Sequence, residues 1–472
     1  MNRSRSFMLQ KERELSNESE PDFLISRTVT HSPKHFAPEP VSTCGSLSVT
    51  SAVTRRLREV SVMARLALRL LRYVGLTVQG YFMFLRLVCF SVLMLPLLVP
   101  AILRYLTSAA ILRDLRYGKK PRNTLDVYLP NHHIHKHVHN KHINICTHEP
   151  CSICSSICSS SSICTQGRIL GPDATEAKRP VIIAVTGGAW VIGHKAWLAL
   201  LGERMAANGV VFISLDYRNF PQGCAPEMVE DVEAGITYVL KHLHLWNGDC
   251  ENVYLFGQSA GAHILTMSLI ERARKITSLA KSDGNASSSE SCRRMSQPTT
   301  ATAGELGFTW TPKAFKAFVA ISCPFDLVKL LPHLNARGFS SRMFNAILKG
   351  DVFGWSPTRL IQGSVSRKAL AQLPPFKVFH GAKDATVGFQ SSVDFARCFK
   401  ERGGQCELHI LEHSTHSSFI LEGPLKGEHI LVDALLEEIR KGSGIQPGAI
   451  EDVPIAEWKK SLVNLAQVIM PF

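Results

Sequence analysis

From Lys178 onward, short uninterrupted apolar runs take turns with longer segments in which apolar residues recur every three or four positions. "RPVIIAVTGG", "GVVFISLDYRN" and "NVYLFG" show no apolar/polar alternation and close on glycine or polar turn residues. Strands buried on both faces read this way. "PEMVEDVEAGITYVLKHL" and the segment after Ser259 carry helical spacing between and behind those runs. "AFKAFVAISCPFD", "PPFKVFHGAKD" and "QCELHILEH" supply later strands, and "GEHILVDALLEEIRKG" a closing helix with glycine as its stop signal. Strands alternating with helices predict an α/β fold with a doubly wound, mostly parallel sheet. Its site is expected at the carboxyl ends of the strands.

The first half of the chain follows other rules. Residues 1–60 are rich in Ser, Glu, Arg and Pro without apolar periodicity. Burial there cannot offset ordering entropy, which predicts disorder. Two apolar runs follow, Tyr73 to Leu85 and Leu87 to Leu103, bounded by Arg72, Arg86 and Arg104. A spanning helix needs roughly 20 apolar residues, with about 17 as the lower limit. The second run just qualifies, and membranes tolerate its Pro96 and Pro100. Residues 61–112 are therefore expected to form a membrane-associated helix or helical hairpin with lipid as partner, a buried core helix being the alternative. A catalytic domain is expected over 113–445 and a helical tail over 446–472. Within the tail, Ile455, Trp458, Leu462, Leu465 and Ile469 fall on one helical face, expected to dock on the domain or on lipid.

Composition refines this picture. The 472 residues carry a formal net charge of +14. Many cations (Arg65, Arg69, Arg72, Arg86, Arg104, Arg113, Arg116) flank the apolar runs instead of forming an aromatic-interleaved stripe. That placement suits a membrane interface and speaks against nucleic acid. Of 13 cysteines, five lie between Cys146 and Cys164, and the first 23 residues lack the apolar core of a signal peptide. Reduced thiols and a cytosolic catalytic domain are expected. The His/Cys-rich stretch Asn131 to Gly167 follows no paired metal-finger spacing, so a surface insertion (about 131–178) is expected and no metal. A second polar insertion is expected over 277–305.

The chemistry starts at Gly257-Gln258-Ser259-Ala260-Gly261. Between "VYLF" and "AHILTMSLI" this spacing turns a strand sharply into a helix and lifts the serine hydroxyl above the sheet edge. Ser259 is the expected nucleophile, the alternative being an ordinary glycine turn. Acyl transfer also needs N–H donors for the tetrahedral oxyanion. "VTGGAWVIGHKAW" offers Gly187 and Gly188 directly after a buried strand, which with Ala260 N–H predict a three-donor hole. Trp190 reads as core. The acid and base should follow the serine in order. Asp384 in "VFHGAKDATV" follows a strand and turn, and is preferred to Asp326 and Asp351. In "LEHSTHSSF", His416 is preferred to His413 as the residue further into the loop.

With those residues in view, the chain resembles the isoprenylcysteine methylesterases of the α/β-hydrolase superfamily, which remove the methyl ester from prenylated protein C-termini. The likeness is carried by "YGKKPRNTLDVYLP", "VTGGAWVIGHKAW", "LDYRNFPQG", "GQSAGAH", "HGAKDATV" and "HSTHSSFILEGPLKGEH". It covers Arg65 to the C-terminus apart from the two insertions. Thr186 stands where the superfamily usually has histidine in the oxyanion motif, and the His/Cys-rich insertion is a departure. The resemblance implies Ser259, Asp384 and His416 as the triad, with Gly187, Gly188, Ala189, Gln258 and Ala260 against the substrate. It further implies no cofactor and residence in endoplasmic reticulum and Golgi membranes. A general carboxylesterase or arylformamidase, and a ligand receptor derived from a hydrolase, are the alternatives. Oligomeric state is not encoded in any pattern above.

Overall fold

A computed structural model describes residues 78–130, 177–285, 309–443 and 456–469. The His/Cys-rich stretch, residues 1–60, most of the second insertion and Ile455 lie outside these. The first element, α1 (Val78–Thr107), is one continuous apolar helix containing Pro96 and Pro100. It takes up the second apolar run and part of the first. Then come β1 (Ile111–Arg116), β2 (Thr124–Tyr128), β3 (Arg179–Val185), α2 (Ala199–Ala207), β4 (Val211–Leu215) and α3 (Ala225–His242). β5 (Gly248–Gln258) leads into α4 (Ala260–Asn285), and β6 (Phe318–Ile321) into α5 (Leu327–Ala336), α6 (Ser341–Leu348), α7 (Pro357–Gly363) and α8 (Arg367–Leu370). The chain closes with β7 (Phe376–Gly381), α9 (Gln390–Glu401), β8 (Cys406–Leu411), α10 (Glu422–Lys426), α11 (Ile430–Ser443) and α12 (Glu457–Ile469). α4 runs past Thr277, where composition predicts a loop, because Ile276 still finds a buried seat.

The eight strands form one sheet in the order β1-β2-β4-β3-β5-β6-β7-β8. β1, β2 and β4 pair antiparallel, and β4 through β8 pair parallel. This is the mostly parallel, doubly wound sheet of an α/β hydrolase. The uninterrupted apolar runs are explained by helices on both faces. On β3, Val181, Ile183 and Val185 belong to the core cluster shared with α3 and α4, while Ile182 and Ala184 belong to the cluster on the other face, shared with α2 and α11. β4 lies on one side of β3 and β5 on the other, so the winding direction reverses there and a crevice opens above their carboxyl ends.

A third apolar cluster joins Phe90, Met94 and Leu97 of α1 to Val463 and Ala466 of α12, with Leu421 and Leu425 packed against it. The tail therefore docks, and of the expected stripe Leu462 packs against this cluster, but the contact centres on the adjoining Val463 and Ala466. Trp458 is 57% and Leu465 52% exposed. A stripe read from apolar periodicity alone misses that close helix approach is easiest over a small residue, here Ala466.

Candidate active site

Ser259 is the single residue between β5 and α4, and its φ of 51° is left-handed. Its N–H donates to Ile321 O (2.8 Å), and its carbonyl accepts from His263 N–H (3.0 Å). The turn is thus tied to the neighbouring strand and to the first turn of α4. Gly261 is obligatory, because a Cβ there would sit 2.4 Å from the carbonyl oxygens of Val185 and Thr186.

β7 and β8 bring the other two groups to the same edge. His416 Nε2 lies 2.9 Å from Ser259 Oγ, and His416 Nδ1 lies 2.8 Å from Asp384 Oδ2. A carboxylate only accepts, so Nδ1 carries the proton and Nε2 is free to accept from the serine hydroxyl. Asp384 Oδ1 accepts the N–H groups of Thr386 (2.9 Å) and Val387 (2.8 Å). Burial on its own would raise the Asp384 carboxyl. His416 and His380, through charge and hydrogen bonds, outweigh it and hold that carboxyl well below the usual carboxylate range. The rivals are engaged elsewhere: Asp326 caps α5 and pairs with Arg359 (3.0 Å), Asp351 accepts Gly354 N–H (2.7 Å), and His413 is exposed.

Two histidines that sequence reasoning missed frame this trio. His380, fully buried on β7, places Nε2 3.1 Å from Asp384 Oδ2 and 2.7 Å from Val387 O, with Nδ1 2.7 Å from Ser392 Oγ. His263, one helical turn after Ser259, accepts Trp190 Nε1–H at Nδ1 (3.2 Å), so its Nε2–H donates to Trp355 O (2.7 Å). Burial pushes His263 down to about 4, with the Trp355 carbonyl acting in the opposite direction. The neutral form suits a group between one donor and one acceptor. Spacing alone gave the only available signals, four residues before Asp384 and four after Ser259.

The loop after β3 holds three successive left-handed residues, Gly188 (φ 123°), Ala189 (φ 51°) and Trp190 (φ 62°). Gly187 does not offer a free donor as expected: its N–H is donated to Gln258 Oε1 (3.1 Å). What glycine supplies there is space, since a Cβ would lie 2.4 Å from that oxygen and 2.7 Å from Ser259 Cβ. The N–H groups of Gly188, Ala189 and Ala260 enter no hydrogen bond with other described residues. Gly193, on the same loop, presents its carbonyl to Asn219 Nδ2 (2.7 Å) and to Arg122, which pairs with Asp216. Trp190 is buried, and its carbonyl accepts Phe220 N–H (2.8 Å).

A serine with an oriented imidazole and free N–H groups on a strained loop suits acyl transfer, and similarity to known proteins agrees. The probable isoprenylcysteine alpha-carbonyl methylesterase ICMEL1 of Oryza sativa subsp. japonica is 32% identical over 389 residues, covering 82% of this chain and 75% of that protein. The chain belongs to the isoprenylcysteine alpha-carbonyl methylesterase family. Isoprenylcysteine alpha-carbonyl methylesterase ICME of Arabidopsis thaliana is 29% identical over 419 residues, covering 88% of this chain and 82% of its own. Residues 168–399 match the BD-FAE family model. Among solved structures, esterase B from Lactobacillus rhamnosis is similar at 14% identity with a TM-score of 0.47, over 76% of this chain and 94% of its own. The family member described here is an α/β-hydrolase esterase.

Proposed function

We propose that the chain hydrolyses the C-terminal methyl ester of prenylcysteine on prenylated proteins. Ser259 Oγ attacks the ester carbonyl as its proton passes to His416 Nε2, and Asp384 stabilises the resulting imidazolium. The tetrahedral oxyanion is received by the N–H groups of Gly188, Ala189 and Ala260. Collapse of this intermediate breaks the C–O bond to the methoxy group, which takes the proton from His416 and leaves as methanol. Water, deprotonated by the same imidazole, then attacks the acyl-enzyme; the carboxylate product departs and Ser259 regains its proton.

One observation carries the esterase chemistry: the 2.9 Å and 2.8 Å contacts linking Ser259, His416 and Asp384. The prenyl preference is supported by the family and by the apolar helix beside the domain. Leu85–Thr107 is long and apolar enough to cross a membrane. Each methylene of a prenyl chain adds about 0.8 kcal/mol to partitioning into lipid, so a membrane-attached enzyme meets its substrate concentrated at the same surface. Residence in endoplasmic reticulum and Golgi membranes, with a cytosolic catalytic domain, belongs to this proposal.

The test compares kcat/KM for farnesylcysteine methyl ester with that for S-methylcysteine methyl ester, using detergent-solubilised full chain. The proposal expects at least a tenfold preference for the prenylated ester. Equal values would leave a general carboxylesterase. Absence of turnover on both esters would remove the esterase chemistry itself.

A further inference from the structure

α1 is apolar all round, yet its two sides have different fates. Phe90, Met94, Leu97 and Ala101 are buried against protein. Opposite them Leu85, Val88, Val92, Leu95, Val99 and Ile102 recur every three or four residues and are all exposed. Such spacing defines one stripe of a helix. α1 contains no acidic residue, and Ser91 returns its hydroxyl to Leu87 O (2.8 Å), so the uncovered side brings no unmet polar group.

Protein follows the buried side almost from end to end. Arg86 Nε donates to Ile469 O (3.0 Å), at the C-terminus of α12. At the other end, Tyr105 OH donates to the fully buried Asp126 of β2 (2.7 Å), and Arg104 pairs with Glu203 of α2 (3.1 Å). Between these ties lie about 20 residues, or about 30 Å of helix at 1.5 Å per residue, roughly the whole hydrocarbon thickness of a bilayer. Were α1 to cross the membrane, everything packed along that length would enter hydrocarbon with it. α12 carries Glu457, Lys459, Lys460, Asn464 and Gln467, and Lys426 of α10 donates to Gln467 (2.9 Å). Each charge near the bilayer centre is unfavourable by about 2.5–3.5 kcal/mol or more.

We infer that α1 lies in the plane of the membrane surface, its outer stripe in lipid and its inner stripe on the catalytic domain, and does not span. The occupant of the outer stripe is the bilayer. α12 fits this arrangement. Around its axis, the exposed Trp458 and Leu465 lie past Leu462 on one side of the face docked on α1, whereas Lys460 and Gln467 lie on the other side, toward Lys426. One flank is apolar and the other polar, as in a helix at an interface. Leu421 and Leu425, five and nine residues after His416, sit in the same cluster. The loop that carries His416 is therefore built directly onto the lipid-facing layer. The inference rests on the membrane attachment proposed above and extends it to how the chain meets the bilayer.

The test reads depth and needs no turnover. A genetically encoded fluorescent amino acid is placed singly at Val88, Leu95 or Ile102 of the full chain in phosphatidylcholine/phosphatidylserine vesicles. Quenching by lipids doxyl-labelled at shallow and deep acyl positions is then compared. The in-plane helix predicts one common shallow depth for all three positions. Deep quenching at Leu95 with shallow quenching at Val88 and Ile102 is the signature of a span and overturns the inference. Absence of quenching at all three overturns it too, leaving the stripe to a second copy of the chain or to no partner. Leu95→Asp should shift the protein from the vesicle fraction to the soluble fraction while kcat on a short water-soluble ester stays within about twofold. Loss of turnover in every variant and in the parent protein would count against the proposed activity, and the depth readings would still stand.

Discussion

Removing the His263 side chain tests whether the strained loop after β3 is held from below. His263→Leu keeps the volume nearly constant but leaves without partners the buried Trp190 Nε1–H and the carbonyl of the half-buried Trp355. An unsatisfied buried donor or acceptor costs about 1–3 kcal/mol, so the stranded indole N–H predicts a stability loss of about 1–3 kcal/mol. Ala189 and Trp190 hold left-handed backbone angles of 51° and 62°. This conformation costs non-glycine residues about 1–2 kcal/mol each, giving about 2–4 kcal/mol for the two. Trp190 has two hydrogen bonds to resist that relaxation, its indole to His263 and its carbonyl to Phe220 N–H. Without the first, the N–H groups of Gly188 and Ala189 drift from their aim. Losing one oxyanion donor typically lowers kcat by about 10²–10³. The expected outcome is at least a tenfold lower kcat on a short water-soluble ester, KM within about threefold, and a lower urea midpoint. His263→Gln, whose amide can accept from Trp190 and donate to Trp355, should restore part of kcat. If His263→Leu lowers the urea midpoint but keeps kcat within twofold, the tether serves the fold alone and the reasoning is wrong.

The same histidine sets a pH dependence. Its folded value of about 4 lies below the ordinary 6.5, so between those pH values the unfolded chain takes up a proton that the folded one refuses. Stability then rises with pH through this window and is lost as pH falls, by about 3 kcal/mol in full. Urea midpoints from pH 7 to pH 4 should flatten in His263→Gln. Lys195, 1% exposed, donates to Asp126 (2.7 Å) and Asp114 (2.6 Å); Lys195→Met strands the buried Asp126 carboxylate and should destabilise by about 3–5 kcal/mol in urea. Gly261→Ala forces a methyl into two backbone carbonyls and should yield insoluble or inactive protein, while Gly363→Ala, with open space around it, should shift the midpoint little.

What could be read from the sequence follows from where information is local. The runs that became β3, β4 and β5 are apolar without alternation because helices cover both sheet faces, and that pattern needs no distant partner. Ser259 and the Gly188 loop were legible because their backbone requirements fix residue types over a few positions. Asp384 and His416 came from chain order and loop position, 125 and 157 residues beyond the serine in number, and no local feature marks either. The misses are contacts between remote segments. Trp190 and His263 each look like core, and only the fold brings indole and imidazole together. The commitment of Gly187 N–H to the Gln258 amide depends on the register of two neighbouring strands. For α12, periodicity marked an apolar helix, but the docking face depends on α1, whose Phe90, Met94 and Leu97 pack with Val463 and Ala466.

Methanol release from farnesylcysteine methyl ester, measured for the purified full chain and for Ser259→Ala, addresses the whole account most directly. Steady release by the parent protein, reduced about 10⁴-fold or more in Ser259→Ala with an unchanged urea midpoint, is the expected result. Release within tenfold of the parent by Ser259→Ala would contradict it.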